Sequence, residues 1–79
     1  MSFGYKFIGV GIDKKLDEFV PKMGTTLLEC LHLGQVKRQK DPSWNSVTWR
    51  KRGGRCMFCK NGRGHQEEHY SDWLHYRVE

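Results

Sequence analysis

Long apolar runs are missing from this chain. None approaches the roughly 20 residues needed to cross a bilayer, and the opening Met1–Lys6 stretch lacks the apolar core of a secretory leader. With no membrane partner implied, the expected location is a reducing intracellular compartment, cytoplasm or nucleus. Cysteine is scarce as well: there are three, which cannot all pair within one chain, and their spacing is unlike a secreted disulfide framework. Internal repeats and low-complexity segments are also absent, which sets aside solenoids and biased tails.

What remains is a short, polar, folded chain. Its 79 residues allow a single domain, and a chain of this size buries only about 60% of its unfolded surface. Small domains make up the shortfall with a disulfide, a metal or a partner. Thirteen per cent of the residues are aromatic, three of them tryptophan, which argues against disorder. Acids are scarce in the middle of the chain. Residues 36–64 carry Lys37, Arg38, Lys40, Arg50, Lys51, Arg52, Arg55, Lys60 and Arg63 against Asp41 alone, whereas residues 1–35 balance and residues 65–79 are acidic. The positive field is therefore central.

Several elements are legible. Residues 5–10 are β-branched and aromatic between glycines and predict a strand. Asp13 caps an expected helix over 14–20 that Pro21 ends. Thr26 with Glu29 forms a capping box opening a helix over 27–36, with Gly34 weakening its end. The segment from Gln35 to Ser46 is polar, holds Asp41-Pro42 and reads as a linker or an exposed loop. Residues 46–52 and 55–58 read as strands joined by Gly53-Gly54 in a tight hairpin. His65, His69, Trp73 and Tyr76 share one helical side and predict a C-terminal helix.

Cys56-x2-Cys59-x5-His65-x3-His69 has the ligand types and spacing of a structural zinc site. Cys56 and Cys59 would meet one ion from a tight turn, and the histidines would lie on one helical face. Asn61, Gly62 and Gly64 would permit the reversal between the halves. His75 could replace His69, and Cys30 with His32 could contribute from a distance, although Cys30 reads better as a core residue. A redox pair at Cys56 and Cys59 would call for a βαβ pattern, which does not follow.

Cys56-x2-Cys59 followed by Gly64-His65 resembles the zinc knuckle of retroviral nucleocapsids, which bind single-stranded RNA. One extra residue precedes the glycine-histidine, and His69 stands where that family has cysteine. Cys56 through Asn61 also resembles the opening of the Nanos RNA-binding finger, without its second zinc half. Each likeness covers about 15 residues. The resemblance implies a compact zinc module able to meet RNA.

Arg50, Lys51, Arg52 and Arg55 surround the Gly-Gly turn, with Lys60, Arg63 and Trp49 nearby. Cations of this density release counterions from a phosphate backbone, and aromatics stack on unpaired bases. Each tryptophan taken singly reads better as core. A catalytic role is not expected. His65-x2-Glu68-His69 fits the inverted metalloprotease pattern, but two cysteine ligands would close the zinc to water. No further acids and histidines upstream would serve a nuclease, and Gly9-Val10-Gly11 lacks the lysine of a phosphate loop.

The expectation is thus an α+β, zinc-stabilised domain with a short β-hairpin and two to three helices. It is a single unit over residues 1–79, with an apolar half at 1–36 and a zinc-binding basic half at 46–79. Its expected work is non-enzymatic binding of RNA or DNA through a basic hairpin, with Zn2+ as structural cofactor and no small-molecule substrate. A small regulatory factor of viral or phage origin would suit the size. The alternative is a zinc-finger adaptor or inhibitor docking on an acidic protein surface.

Overall fold

Ser46–Arg50, Ser-Val-Thr-Trp-Arg, is rich in β-branched and aromatic side chains and forms the strand around which the protein is organised. In the computed structural model, which describes residues 4–10, 18–60 and 72–79, it is the third of five strands. These are β1 (Tyr5–Val10), β2 (Glu18–Phe19), β3 (Ser46–Arg50), β4 (Arg55–Cys59) and β5 (Trp73–Val78). They lie in the order β1-β5-β3-β4-β2, every neighbouring pair antiparallel. Central β3 pairs Val47 with Phe58 on one side and with Tyr76 on the other. A register shift between Phe7 and Gly9 bulges the edge strand β1.

Helix α1 (Leu27–Lys40) starts where the capping box predicts, with the Thr26 hydroxyl accepting from the Glu29 N–H. It runs to Lys40, four residues past the expected end, with Lys37, Arg38 and Lys40 in its last turn, where cations favour the helix dipole. Gly34 therefore does not mark the end. Its missing side chain lets α1 approach the sheet, because a Cβ there would collide with Val47 Cγ1. The supposed linker is half helix, and Gln35 within it is buried.

Strand alternation sorts the remaining side chains. Val47 and Trp49 of β3, Cys56 and Phe58 of β4, and Tyr76 and Val78 of β5 face α1 and pack with Leu27, Cys30, Leu31 and Leu33. Ser46, Thr48, Met57, Cys59 and His75 lie on the opposite face and are 0–1% exposed.

Three expectations are corrected here. The described residues hold one α-helix and a sheet, not a hairpin with two to three helices around zinc. Glu18–Phe19 pairs with β4, so the helix read over 14–20 does not extend through its second half; residues 14–17 lie outside the described set. Trp73–Val78 is a strand rather than the end of a helix, because it pairs with β1 on one side and β3 on the other, with Trp73, His75 and Val78 buried. The core draws on the second half of the chain as well as the first, with Val47, Met57, Phe58, Trp73 and Val78 all belonging to it.

Candidate nucleic-acid interface

The zinc site does not assemble as the spacing suggested. Cys56 is disulfide-bonded to Cys30 of α1, with Cα atoms 5.5 Å apart. Cys56 and Cys59 both lie within β4, where positions three apart point to opposite faces. Cys56 faces the helix, and Cys59 faces away and remains a thiol. A C-x2-C pair chelates one ion from a turn, not from a strand. Among the described residues no cluster of histidine, cysteine and acid could hold a metal. His65 and His69 lie outside those residues. The zinc cofactor and the likeness to zinc knuckles and fingers are therefore withdrawn.

The alternative ligands have other partners. Cys30 is fully buried in the disulfide. His75 is 1% exposed, and its Nδ1 lies 2.7 Å from the Thr48 hydroxyl, which in turn lies 3.5 Å from Cys59 Sγ. This buried polar row crosses β5, β3 and β4 and helps to fix their register.

The basic residues separate into two groups at opposite ends of the sheet, the five residues of β3 spanning about 14 Å between them. The first is the β3–β4 turn. Lys51 and a 3₁₀ turn at Arg52–Gly54 connect Arg50 to its cross-strand neighbour Arg55. The loop is thus four residues long, where Gly53-Gly54 alone was expected. Gly53 and Gly54 take φ of 79° and 60°, values that favour glycine. The preceding segment anchors this turn: the Gly24 N–H donates to Gly53 O, and both the Thr25 N–H and its hydroxyl donate to Gly54 O at 2.9 and 2.7 Å. Arg50 Nε donates to Arg52 O, and its guanidinium sits 5.4 Å from the Trp73 ring. Lys51 and Arg52 are exposed, and among the described residues no carboxylate pairs with either. Trp49 is half-buried, and its indole N–H donates to Thr25 O at 2.9 Å.

The second group is centred on Trp44. Lys37 Nζ and Lys60 Nζ lie 4.9 and 4.7 Å from its ring, and Phe58 meets it edge-on at 6.4 Å. Asp41 is nearby, its carboxyl held below the usual range by hydrogen bonds from Ser43 and, to a lesser degree, by the charges of Lys60 and Lys37. Lys60 therefore lies with Trp44 at the other end of the sheet and not beside the hairpin tip, near which the sequence placed it. Lys37 was missed as a site residue because helix, loop and strand end bring this group together, and no linear spacing signals it. Arg63 lies outside the described residues.

Comparison of the chain with protein-family models, with curated proteins and with solved structures gives no match.

Proposed function

We propose that the protein binds the phosphate backbone of a nucleic acid through the β3–β4 turn, by contact alone and without catalysis. The observation that supports this reading is the anchored cationic turn. Arg50 at the end of β3 and Lys51 and Arg52 in the following turn succeed one another on backbone tied to Gly24 and Thr25, so the stems that carry their charges start from fixed positions. Ordering costs at such a loop are already met before a ligand arrives. An intracellular location accompanies this reading. The Cys30–Cys56 bond needs an oxidising step to form. Both of its residues are 0% exposed, which shields the bond from cellular thiols once made.

The test is binding to mixed RNA and DNA oligonucleotides across a salt series. Three phosphate contacts give a slope of log K against log salt of about −2 on single strands. The double substitution Lys51→Ala/Arg52→Ala, at two exposed side chains, should weaken binding and flatten that slope while leaving the fold intact. No measurable binding at low salt would sink the proposal. It would favour a second reading, docking on a protein, for which edge strand β1 speaks: Tyr5 and Phe7 are 51% and 49% exposed beside Tyr76.

A further inference from the structure

Beside the cationic turn lies an open cleft of about 470 Å³ between the start of α1 and the β3–β4 loop. Its size falls within the roughly 300–1,000 Å³ of small-ligand sites. Three of its wall positions are Gly24, Gly53 and Gly54, with φ of 77°, 79° and 60°. Side chains are disfavoured at such angles, so these walls are bare backbone by requirement. At Gly24 the space is open, since a Cβ there would meet nothing within 4 Å. Trp49 and Leu27 supply apolar surface, and Lys51 is the one charged residue of the lining. The indole is fixed by its bond to Thr25 O, and Gly54 by two bonds from Thr25. The cleft is therefore formed before any ligand arrives.

Its chemistry is selective. A free phosphate would use Lys51 but gain nothing from the apolar walls. An uncharged apolar ligand would use the walls but leave the lysine without a purpose. A planar ring carrying a phosphate satisfies both, and Arg50 and Arg52 beside Lys51 continue the positive track along a chain of further phosphates. We infer that this cleft seats one unpaired base of a single strand, with the ring against Trp49 and Leu27 and its phosphate at Lys51. The inference rests on the nucleic-acid reading above and deepens it. A paired base cannot leave its stack to enter without a cost, so the cleft makes the protein prefer single strands to duplex.

Three measurements on the whole chain test this. First, Leu27→Trp, at a half-buried position on the edge of the core, adds bulk to the cleft wall and is checked for an unchanged fold by its amide NMR spectrum, and Thr26→Asp, at an exposed position, keeps the helix cap while placing a carboxylate in the lining. Affinity for a ten-nucleotide oligo(dT) should fall about tenfold in each, the usual worth of a stacked base. The salt slope should be unchanged in Leu27→Trp, because the turn still meets its phosphates. Second, in amide-detected NMR, AMP and UMP should shift the Trp49 indole N–H together with the amides of Gly24, Gly53 and Gly54, whereas ribose 5-phosphate should leave the Trp49 indole N–H in place. Third, a ten-base-pair duplex should bind at least tenfold more weakly than oligo(dT). If oligo(dT) binds with the expected slope but Leu27→Trp binds as well as the parent and the nucleotides leave Trp49 unshifted, the cleft inference falls and the turn reading stands. Equal affinity for duplex and single strand would also overturn it. If nothing binds at low salt, both fall.

Discussion

Removing the Cys30–Cys56 bond should take away a large share of the stability of this domain. The bond closes a loop of 26 residues, and confining an unfolded chain of that length costs it about 3.5 kcal/mol of entropy at 25 °C. A domain of this size has about 4–12 kcal/mol in total, and the loss corresponds to roughly 15–25 °C in Tm. Both residues are 0% exposed, so reductant reaches the bond only when the protein opens. The double variant Cys30→Ala/Cys56→Ala is therefore the cleaner perturbation, with reduced parent protein as its companion. Urea titrations followed by tryptophan fluorescence give the difference. The oxidised parent should also show the smaller m-value, since its cross-linked unfolded chain exposes less surface. Peptide mapping under non-reducing conditions should link Cys30 to Cys56 and leave Cys59 alkylatable after unfolding. A fully reduced parent with an unchanged midpoint, or a map joining Cys56 to Cys59, would refute the reasoning.

Three other outcomes follow from the packing. Gly34→Ala should destabilise the fold by about 1–3 kcal/mol despite the better helix propensity of alanine, because its methyl meets the fully buried Val47; Val47→Ala in the same chain should restore part of the loss, and a stabilised single variant in urea would contradict the geometry. Thr48→Val removes the hydroxyl 2.7 Å from His75 Nδ1 and should cost about 1–3 kcal/mol by leaving a buried ring nitrogen short of a partner; a neutral result by calorimetry would count against that bond. Asp41 should titrate below 3.8, chiefly because the Ser43 side chain and N–H donate to it. A depressed folded value means its contribution is present above the ordinary carboxylate range and lost as pH falls through the folded value, so carboxyl-detected NMR placing the midpoint at or above 3.8 would overturn it.

Local signals in the sequence were reliable where the chemistry is itself local. The capping box located the start of α1, because one side chain and one N–H three residues on suffice to make it. The β-branched run at residues 5–10 is strand β1, and Gly53-Gly54 lies in a turn. What failed depended on which element a residue joined. His65, His69, Trp73 and Tyr76 have helical spacing, yet Trp73–Val78 reads equally well as alternation, and a place between β1 and β3 decided for the strand. The zinc reading failed for a related reason. C-x2-C spacing is silent on backbone conformation, and chelation requires a turn between the cysteines. Met57 and Phe58, the residues actually between them, are strand formers that pair with Thr48 and Val47; the asparagine and glycine that would turn the chain come only after Cys59.

The fate of Cys56 was settled by a residue read for another purpose. A disulfide needs its two Cα atoms within about 7 Å, so a bond between helix and sheet requires a close approach of the two at that point. Cys30 and Gly34 are one helical turn apart and so share the face of α1 that meets the sheet. Gly34 sits on Val47 and close to Val78 with no side chain of its own, which lets the helix descend onto β3 and β5. One turn earlier the same descent brings Cys30 to 5.5 Å from Cys56 on the adjoining strand. The glycine that looked like a weak helix end is thus what puts the Cys56 sulfur within reach of Cys30. It follows that Gly34→Ala should slow formation of the Cys30–Cys56 bond during oxidative refolding although alanine is the better helix former, and that bulkier Gly34→Val should slow it further; oxidation of either variant as fast as the parent would overturn the coupling.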